Sequence, residues 1–364
     1  MQQERNSNFE LLRSVAMFMI VVWHVIIHGK LLYNTTGTLN FILTILLYFC
    51  IIHVNTFMLI TGYFQYDKKF KLGKFLKIMF ELIFYNVIVN ICLVLFGLIE
   101  VSKMTLLMDI FPLNCPYWFL ANYLILYLLS PFINKLIGAL NKKEHKNLIL
   151  LLSFIYFILP YISIGRLISN NGYNIQQFIV FYFIGSYLNK YNIELFKEKT
   201  LFKRRLYLII LILFCVILNV LGYYGLTHIF TNVTNLNIFK EFIDSHYLDY
   251  SNIIVVIQTI ATFMLFKTFS IKSSFINDLA KTTFGIYLIH ENGYIRQYMY
   301  KVLLIDRQMM ETNYFIFFKL IFYSIIIFFT AALIDKIRMR FIEDRTWYKK
   351  IIGFFERSIY KIIE

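Results

Sequence analysis

The residues with the most chemical promise lie on the first apolar segment of the chain. Arg13 and His24 are eleven positions apart. On an α-helix, eleven steps of 100° return to within ~20° of the starting azimuth, and the rise carries the second residue ~16 Å along the axis. Both side chains therefore leave one face, with Met17 and Ile20 between them. That stripe offers a fixed cation near one end and an imidazole deeper in. A neutral imidazole, with a reference pKa near ~6.5, can accept the proton of an attacking hydroxyl, which is typically worth ~10²–10⁴ in rate. A guanidinium can bind an anion or orient a polar partner bidentately. Acyl transfer from a thioester to a hydroxyl needs both groups. Plainer uses stand beside this one. An intramembrane His can be a hydrogen-bonded helix contact, and Arg13 can snorkel or pair with Glu10 one turn away.

Other ionisable groups fall inside apolar runs, where each is costly. His290 and Glu291 end the run Thr282–Glu291 and fall near mid-membrane. As neighbours on a helix they face different sides, so at most one is expected to line a cavity. Glu81 can pair with Lys77 or, across helices, with Arg13. His28 reads as an interfacial polar residue. His53 and Asn55 read as interhelical hydrogen bonds or cavity groups. The basic loop holding Lys68, Lys69, Lys71, Lys74 and Lys77 can bind phosphates as point charges, or can be ordinary topological signalling. No P-loop, Rossmann fingerprint, HExxH or serine-nucleophile motif is present, so ATP-driven transport and zinc hydrolysis have no support.

These groups need elements to position them, and the composition says which. The chain has 364 residues, 59% of them hydrophobic and 16% charged, with a mean hydropathy of +0.65. A soluble domain could not hide that much apolar surface. The charges cluster between long apolar runs, each near the ~20 residues a bilayer core requires. The net charge of +15 sits in short loops, which argues against nucleic acid as a partner and for the positive-inside rule. Cys50, Cys92, Cys115 and Cys215 form no CxxC pair, and no metal site is expected. The first run lacks a cleavage signature and reads as a retained helix, and no soluble catalytic domain is evident at either end.

Ten spans are expected, at 9–29, 40–62, 76–99, 117–138, 148–166, 175–189, 205–222, 251–271, 282–303 and 313–335. With the N-terminus inside, the inner segments hold 27 of the 36 Lys and Arg and the outer segments 7. The asymmetry places both termini in the cytoplasm. The longest outer segment, 223–250, reads as a solvated loop or as a rim touching a polar acceptor. Residues 1–335 form a transmembrane domain. Residues 336–364 form a basic amphipathic tail suited to the inner leaflet.

Five stretches in order resemble the membrane-bound acyltransferase 3 family. They are Asn8–Arg13 leading to Trp23-His24; Phe57–Phe64 with Thr61-Gly62-Tyr63; Tyr117–Leu120 running to Ser130-Pro131; Phe183–Tyr187; and Gly285–His290. The resemblance covers nearly the whole chain. It implies about ten helices, an acetyl-CoA or other acyl-CoA donor, and hydroxyl acceptors on envelope glycans. It further implies that Arg13 and His24 are essential, with His24 as the base, and it strengthens His290 as a catalytic residue. Where many members carry an Arg-x-x-Arg pair after the second helix, this chain has Lys71 and Lys74, cofactor-binding candidates without the bidentate fork.

The expectation is an all-α, polytopic helix bundle in the plasma membrane. It transfers an acyl group from acyl-CoA to a hydroxyl of a glycan or lipid-linked glycan, with membrane lipids around it. The rival is a glycan transporter or flippase, which would typically show two related halves and Gly- or Pro-broken helices at matching positions.

Overall fold

The computed structural model describes residues 6–363 apart from 101, 103, 105–106, 109–116, 163–170, 234–247 and 303–314. Residues 234–247, half of the 223–250 segment read as a candidate rim, lie outside the described residues, as does Cys115. Every regular element among the described residues is helical. In chain order these are α1 (Ser7–His28), α2 (Leu31–Asn34), α3 (Gly37–Cys50), α4 (His53–Gln65), α5 (Leu72–Leu95), α6 (Trp118–Ala139), α7 (Lys142–Ser153), α8 (Ile175–Lys190), α9 (Leu201–Val233), α10 (Ile253–Lys267), α11 (Ser274–Lys281), α12 (Thr283–His290), α13 (Gly293–Val302), α14 (Phe315–Arg338) and α15 (Thr346–Ile363). A π-turn, Phe154–Ile158, and a short helix, Leu159–Ile162, extend α7.

The chain is a polytopic membrane protein. Among the described residues, six stretches are long and apolar enough to cross a bilayer: Ser7–His28, Gly37–Gln65, Leu72–Leu95, Trp118–Ala139, Leu201–Gly225 and Phe315–Glu343. The other expected spans take shorter forms. Residues 175–189 and 251–271 become α8 and α10, of 16 and 15 residues. Residues 282–303 break into α12 and α13. The short helices are central. In α8, Phe178, Val180, Phe181, Tyr182 and Phe183 are all buried, so no face is left for lipid. The Gly37–Gln65 stretch is 72% buried, whereas Leu72–Leu95 is 28% buried and turns Ile88, Ile91, Val94 and Leu95 outward. Long apolar helices thus wall off shorter ones, as lipid solvation demands.

Two close approaches set the core. Gly62 of α4 lies against Tyr182 of α8, and Gly185 of α8 lies against Leu59 and Tyr63 of α4. A Cβ at either glycine would overlap the opposing backbone. Two of the five sequence landmarks are therefore halves of one crossing, in which small residues let backbones touch where no hydrophobic driving force operates. The second is a buried ionic knot. Arg338 binds Asp335 at 2.7 Å, Glu81 at 3.0 Å and Glu343 at 3.5 Å, and the Tyr85 hydroxyl donates to Asp335 at 2.7 Å. Glu81 thus pairs with Arg338 rather than with Lys77 or Arg13. The knot joins α5 to α14, and Gly285 leaves the room that lets α12 pack over Asp335.

α15 docks on α5. Glu356 accepts from the Gly73 backbone at 3.0 Å, supplying a carboxylate to the N-terminus of α5. Tyr348 and Ile352 are buried, while Trp347, Ile351, Phe354 and Phe355 stay exposed.

The glycine crossing is testable. Gly185→Val should destabilise by about 3 kcal/mol, since overpacking here meets backbone and not a movable side chain. Thermal unfolding in detergent should show a fall of several degrees. Gly138→Ala, with open space around it, should be neutral or slightly stabilising.

Candidate active site

The Arg13–His24 stripe survives folding, but its two ends enter different surroundings. At the N-terminal end of α1, Arg13 Nη1 pairs with Glu10 Oε2 at 2.7 Å. Asn6 caps the helix, and Asn8 bridges to the turn after α10, donating to the Phe269 carbonyl and accepting from Ile271 N. This anchorage holds the first turn in place. Across from it, Lys71 caps α5 through its backbone and Lys74 lies in the first turn. The Tyr127 hydroxyl bonds the Lys71 main chain, and Lys74 Nζ sits 5.1 Å from the Tyr127 ring centre. Arg13 and Lys71 are both close enough to Lys74 for their charges to repel it. Three sequence candidates therefore gather at one end of the bundle. The Met17 and Ile20 side chains that separate Arg13 from His24 are buried.

At the other end of the stripe His24 meets His290. Nδ1 of His24 lies 2.9 Å from Nε2 of His290, and the rings are 5.1 Å apart. Nδ1 of His290 is 2.6 Å from the Ile286 carbonyl, which can only accept. His290 Nδ1 therefore carries a proton, and in the neutral ring its Nε2 is an acceptor. His24 must donate to it from Nδ1. By exclusion, the lone pair of neutral His24 lies on Nε2.

Glu291 completes the group. Its Oε2 is 3.0 Å from His24 Nδ1 and 3.4 Å from His28 Nε2. This oxygen makes no aligned hydrogen bond, so it acts on His24 as a neighbouring charge. Arg296 holds the other oxygen, Oε1, at 2.8 Å and reaches His28 at 3.4 Å. His290 and Glu291 thus both serve His24, contrary to the continuous-helix expectation. α12 ends at His290, but Glu291 keeps αR torsions and gives its N–H to the Tyr287 carbonyl, so it is the length of its side chain that brings its carboxylate to His24 from the neighbouring azimuth. Asn292 causes the break. Its Oδ1 accepts from Tyr294 N and Ile295 N, capping α13. The Leu288 carbonyl, freed by the break, accepts from the Tyr117 hydroxyl at 3.0 Å, and Asn292 donates to that same hydroxyl at 3.4 Å. The Leu288 carbonyl and the first N–H groups of α13 are thus met within protein, as apolar surroundings require.

Sequence reasoning passed over Glu291 as a partner of His24, and with it Arg296, Asn292 and Tyr117. The signal was present: Glu-Asn-Gly at 291–293 is a helix stop followed by an N-cap. His28 belongs to the cluster through Glu291. Asn55 does bond between helices, its Oδ1 accepting from Gln177 of α8 at 3.0 Å, and it donates to the Tyr250 carbonyl at 2.9 Å. His53 does not, for neither of its nitrogens has a hydrogen-bond partner.

A family model described as an acyltransferase domain (Acyl_transf_3) matches residues 6–336. The chain belongs to the acyltransferase 3 family. It is thus a membrane acyltransferase, transferring groups other than amino-acyl groups. No curated protein and no solved structure matches it.

His24, His290 and Glu291 also form a set that could offer one ligand atom each to a metal, all within 4.8 Å. Their spacing speaks for hydrogen bonding. Zinc ligands at ~2.1 Å in a tetrahedron stand roughly 3.4 Å apart, whereas His24 lies 2.9 and 3.0 Å from its two neighbours. Elemental analysis of the purified protein is expected to find no stoichiometric transition metal. One zinc or iron per chain, lost in His290→Ala, would contradict the hydrogen-bond assignment.

Proposed function

We propose that this acyltransferase moves an acyl group, acetyl by preference, from acyl-CoA to a hydroxyl of a cell-envelope or exopolysaccharide sugar at the plasma membrane. The observation that carries the reading is the contact of His24 Nδ1 with His290 Nε2, from which the tautomer of His24 follows. A ring that donates from Nδ1 to a fixed acceptor, with a carboxylate beside it, presents a basic Nε2 whose protonated form is stabilised in place.

The donor's phosphates belong at the basic end of α1, beside Arg13, Lys71 and Lys74, on the cytoplasmic side. The pantetheine arm of CoA has about a dozen bonds between phosphate and sulfur, roughly 15 Å when extended. That matches the ~16 Å helical rise from Arg13 to His24. The thioester thus reaches the imidazole while the nucleotide stays in the basic mouth. His24 Nε2 takes the proton of the acceptor hydroxyl. The oxygen bonds to the thioester carbonyl carbon, the C–S bond breaks, and the imidazolium returns the proton to the departing sulfur. The products are the ester and free CoA, and His24 is again neutral. His290 holds the ring, and Glu291 offsets its transient charge, both as positioning residues.

Purified full-length protein in lipid, given acetyl-CoA and an envelope glycan, should release CoA and acetylate the glycan. His24→Ala should lower the transfer rate ~10²–10⁴-fold, at unchanged expression. Wild-type rates in that variant would overturn the mechanism. Lys71→Ala/Lys74→Ala should raise KM for acetyl-CoA about tenfold or more. It should leave KM for S-acetylpantetheine, which lacks the nucleotide phosphates, near its wild-type value. Equal effects on the two donors would remove these lysines from phosphate binding.

A further inference from the structure

Where α4, α6 and α8 end, the bundle holds a cavity that the chemistry so far does not use. Together with the turn from α4 to α5, these helix ends border an open space of about 520 Å³. Its walls carry Lys68, Lys69, Lys135 and Lys190, with Asp67 as the single carboxylate among the lining residues. Arg13, Lys71 and Lys74, the groups assigned to the donor, do not line it.

The walls are held by hydrogen bonds, which lysines serving only as topological signals would not need. Asn134 of α6 donates to the Gln65 carbonyl at 3.0 Å and to the Lys68 carbonyl at 3.2 Å. It accepts from the Tyr182 hydroxyl of α8 at 2.7 Å. One amide thus ties the turn and two helices together. Lys190 Nζ donates to the Ile137 and Leu140 carbonyls at 2.6 and 2.8 Å, meeting free carbonyls at the end of α6. That ammonium is spent on the fold. Lys68, Lys69 and Lys135 are exposed, and none of them pairs with a carboxylate among the described residues. Gly138 also lines the cavity, and a Cβ there would meet nothing within 4 Å, so the space reaches the backbone of α6.

The flank of the cavity is apolar and faces outward. Ile125, Leu128, Leu129, Phe132 and Leu136 of α6 are 38% to 74% exposed. Their spacing makes one continuous stripe on the helix, the surface that acyl chains cover. Lys135 follows Phe132 by three residues, which sets it ~60° from that ring's azimuth. It therefore stands on the border between the stripe and the cavity, its stem toward hydrocarbon and its ammonium toward the other two lysines.

We infer that this cavity is a lipid site, holding the phosphate headgroup of an anionic phospholipid whose acyl chains lie along the exposed stripe of α6. The three unpaired ammonium groups bind the phosphate as point charges, and basic pockets between membrane helices are suited to such headgroups. Asp67 on the same wall is an acceptor for a headgroup hydroxyl. A nucleotide phosphate would satisfy the lysines but make no use of the stripe. The site is independent of the acyl-transfer chemistry and stands or falls without it.

Native mass spectrometry of the full-length protein in detergent tests the site, with dioctanoyl phosphatidylglycerol as the probe. One molecule should bind saturably, about tenfold or more tighter than dioctanoyl phosphatidylcholine. Neither inorganic phosphate nor coenzyme A should displace it. Lys68→Gln/Lys69→Gln/Lys135→Gln should weaken binding about tenfold or more, and the corresponding triple arginine variant should retain it. Lys142→Gln/Lys143→Gln/Lys146→Gln removes as much charge from outside the cavity and should leave binding within about twofold of wild type. Gly138→Leu keeps every charge but fills the space, and it too should weaken the lipid. Equal affinity for the two lipids, or equal loss in the two glutamine triples, would reduce the site to general surface charge and overturn the inference. Wild-type affinity in Gly138→Leu would remove the headgroup from the cavity. Displacement by coenzyme A would give the cavity to the donor, and displacement by phosphate alone would give it to a free anion; either result overturns the lipid assignment.

Discussion

The hydrogen bond between His24 and His290 is the contact on which the rest of the site depends. It joins the first helix to the twelfth across 266 positions of sequence. Its direction is imposed from outside, because the Ile286 carbonyl can only accept and therefore decides which nitrogen of His290 carries a proton. That choice passes to His24 and leaves its Nε2 basic. A single backbone carbonyl thus sets the chemical character of a ring one residue removed. Glu291 and Arg296 add charge around this bond without altering its direction.

Much of the remaining structure serves to keep that bond in place inside an apolar solvent. α12 is eight residues long, too short to cross a membrane, and it ends at His290. A helix that stops inside a bundle exposes carbonyls and N–H groups that lipid cannot satisfy. Here the Tyr117 hydroxyl meets the Leu288 carbonyl, and the Asn292 side chain meets the first N–H groups of α13. At the opposite end of α12 the Arg338 knot and the approach of Gly285 to Asp335 hold the helix from below. Long lipid-facing helices shield both.

The sequence makes some of this plain and hides the rest, for reasons that can be named. Hydropathy and charge reveal the membrane class, because bilayer thickness fixes the length of apolar runs. Helical periodicity reveals the shared face of Arg13 and His24, because the helix is unbroken between them. The same periodicity sets His290 and Glu291 on different azimuths, yet the length of the glutamate side chain lets both reach the His24 ring. Spans judged by apolar length take unequal forms, since core helices such as α8 and α10 are as apolar as lipid-facing ones but shorter. The partners of Glu81 and the open valences of His53 are set by packing between helices distant in sequence, which no local pattern encodes. The family landmarks sit where such packing is tightest: Gly62 against α8, Gly185 against α4, Gly285 against Asp335.

The central claim is the protonation pattern of one ring, and it can be observed directly. Protein labelled with ring-¹⁵N histidine, reconstituted in lipid bilayers and studied by solid-state NMR, reports which nitrogen of each neutral imidazole bears hydrogen. The His24 signal is assigned by its disappearance in His24→Asn. The account predicts a protonated Nδ1 and an unprotonated Nε2 for His24, with Nδ1 also protonated in His290. A neutral His24 protonated at Nε2 would leave no base facing the acceptor and would contradict the account.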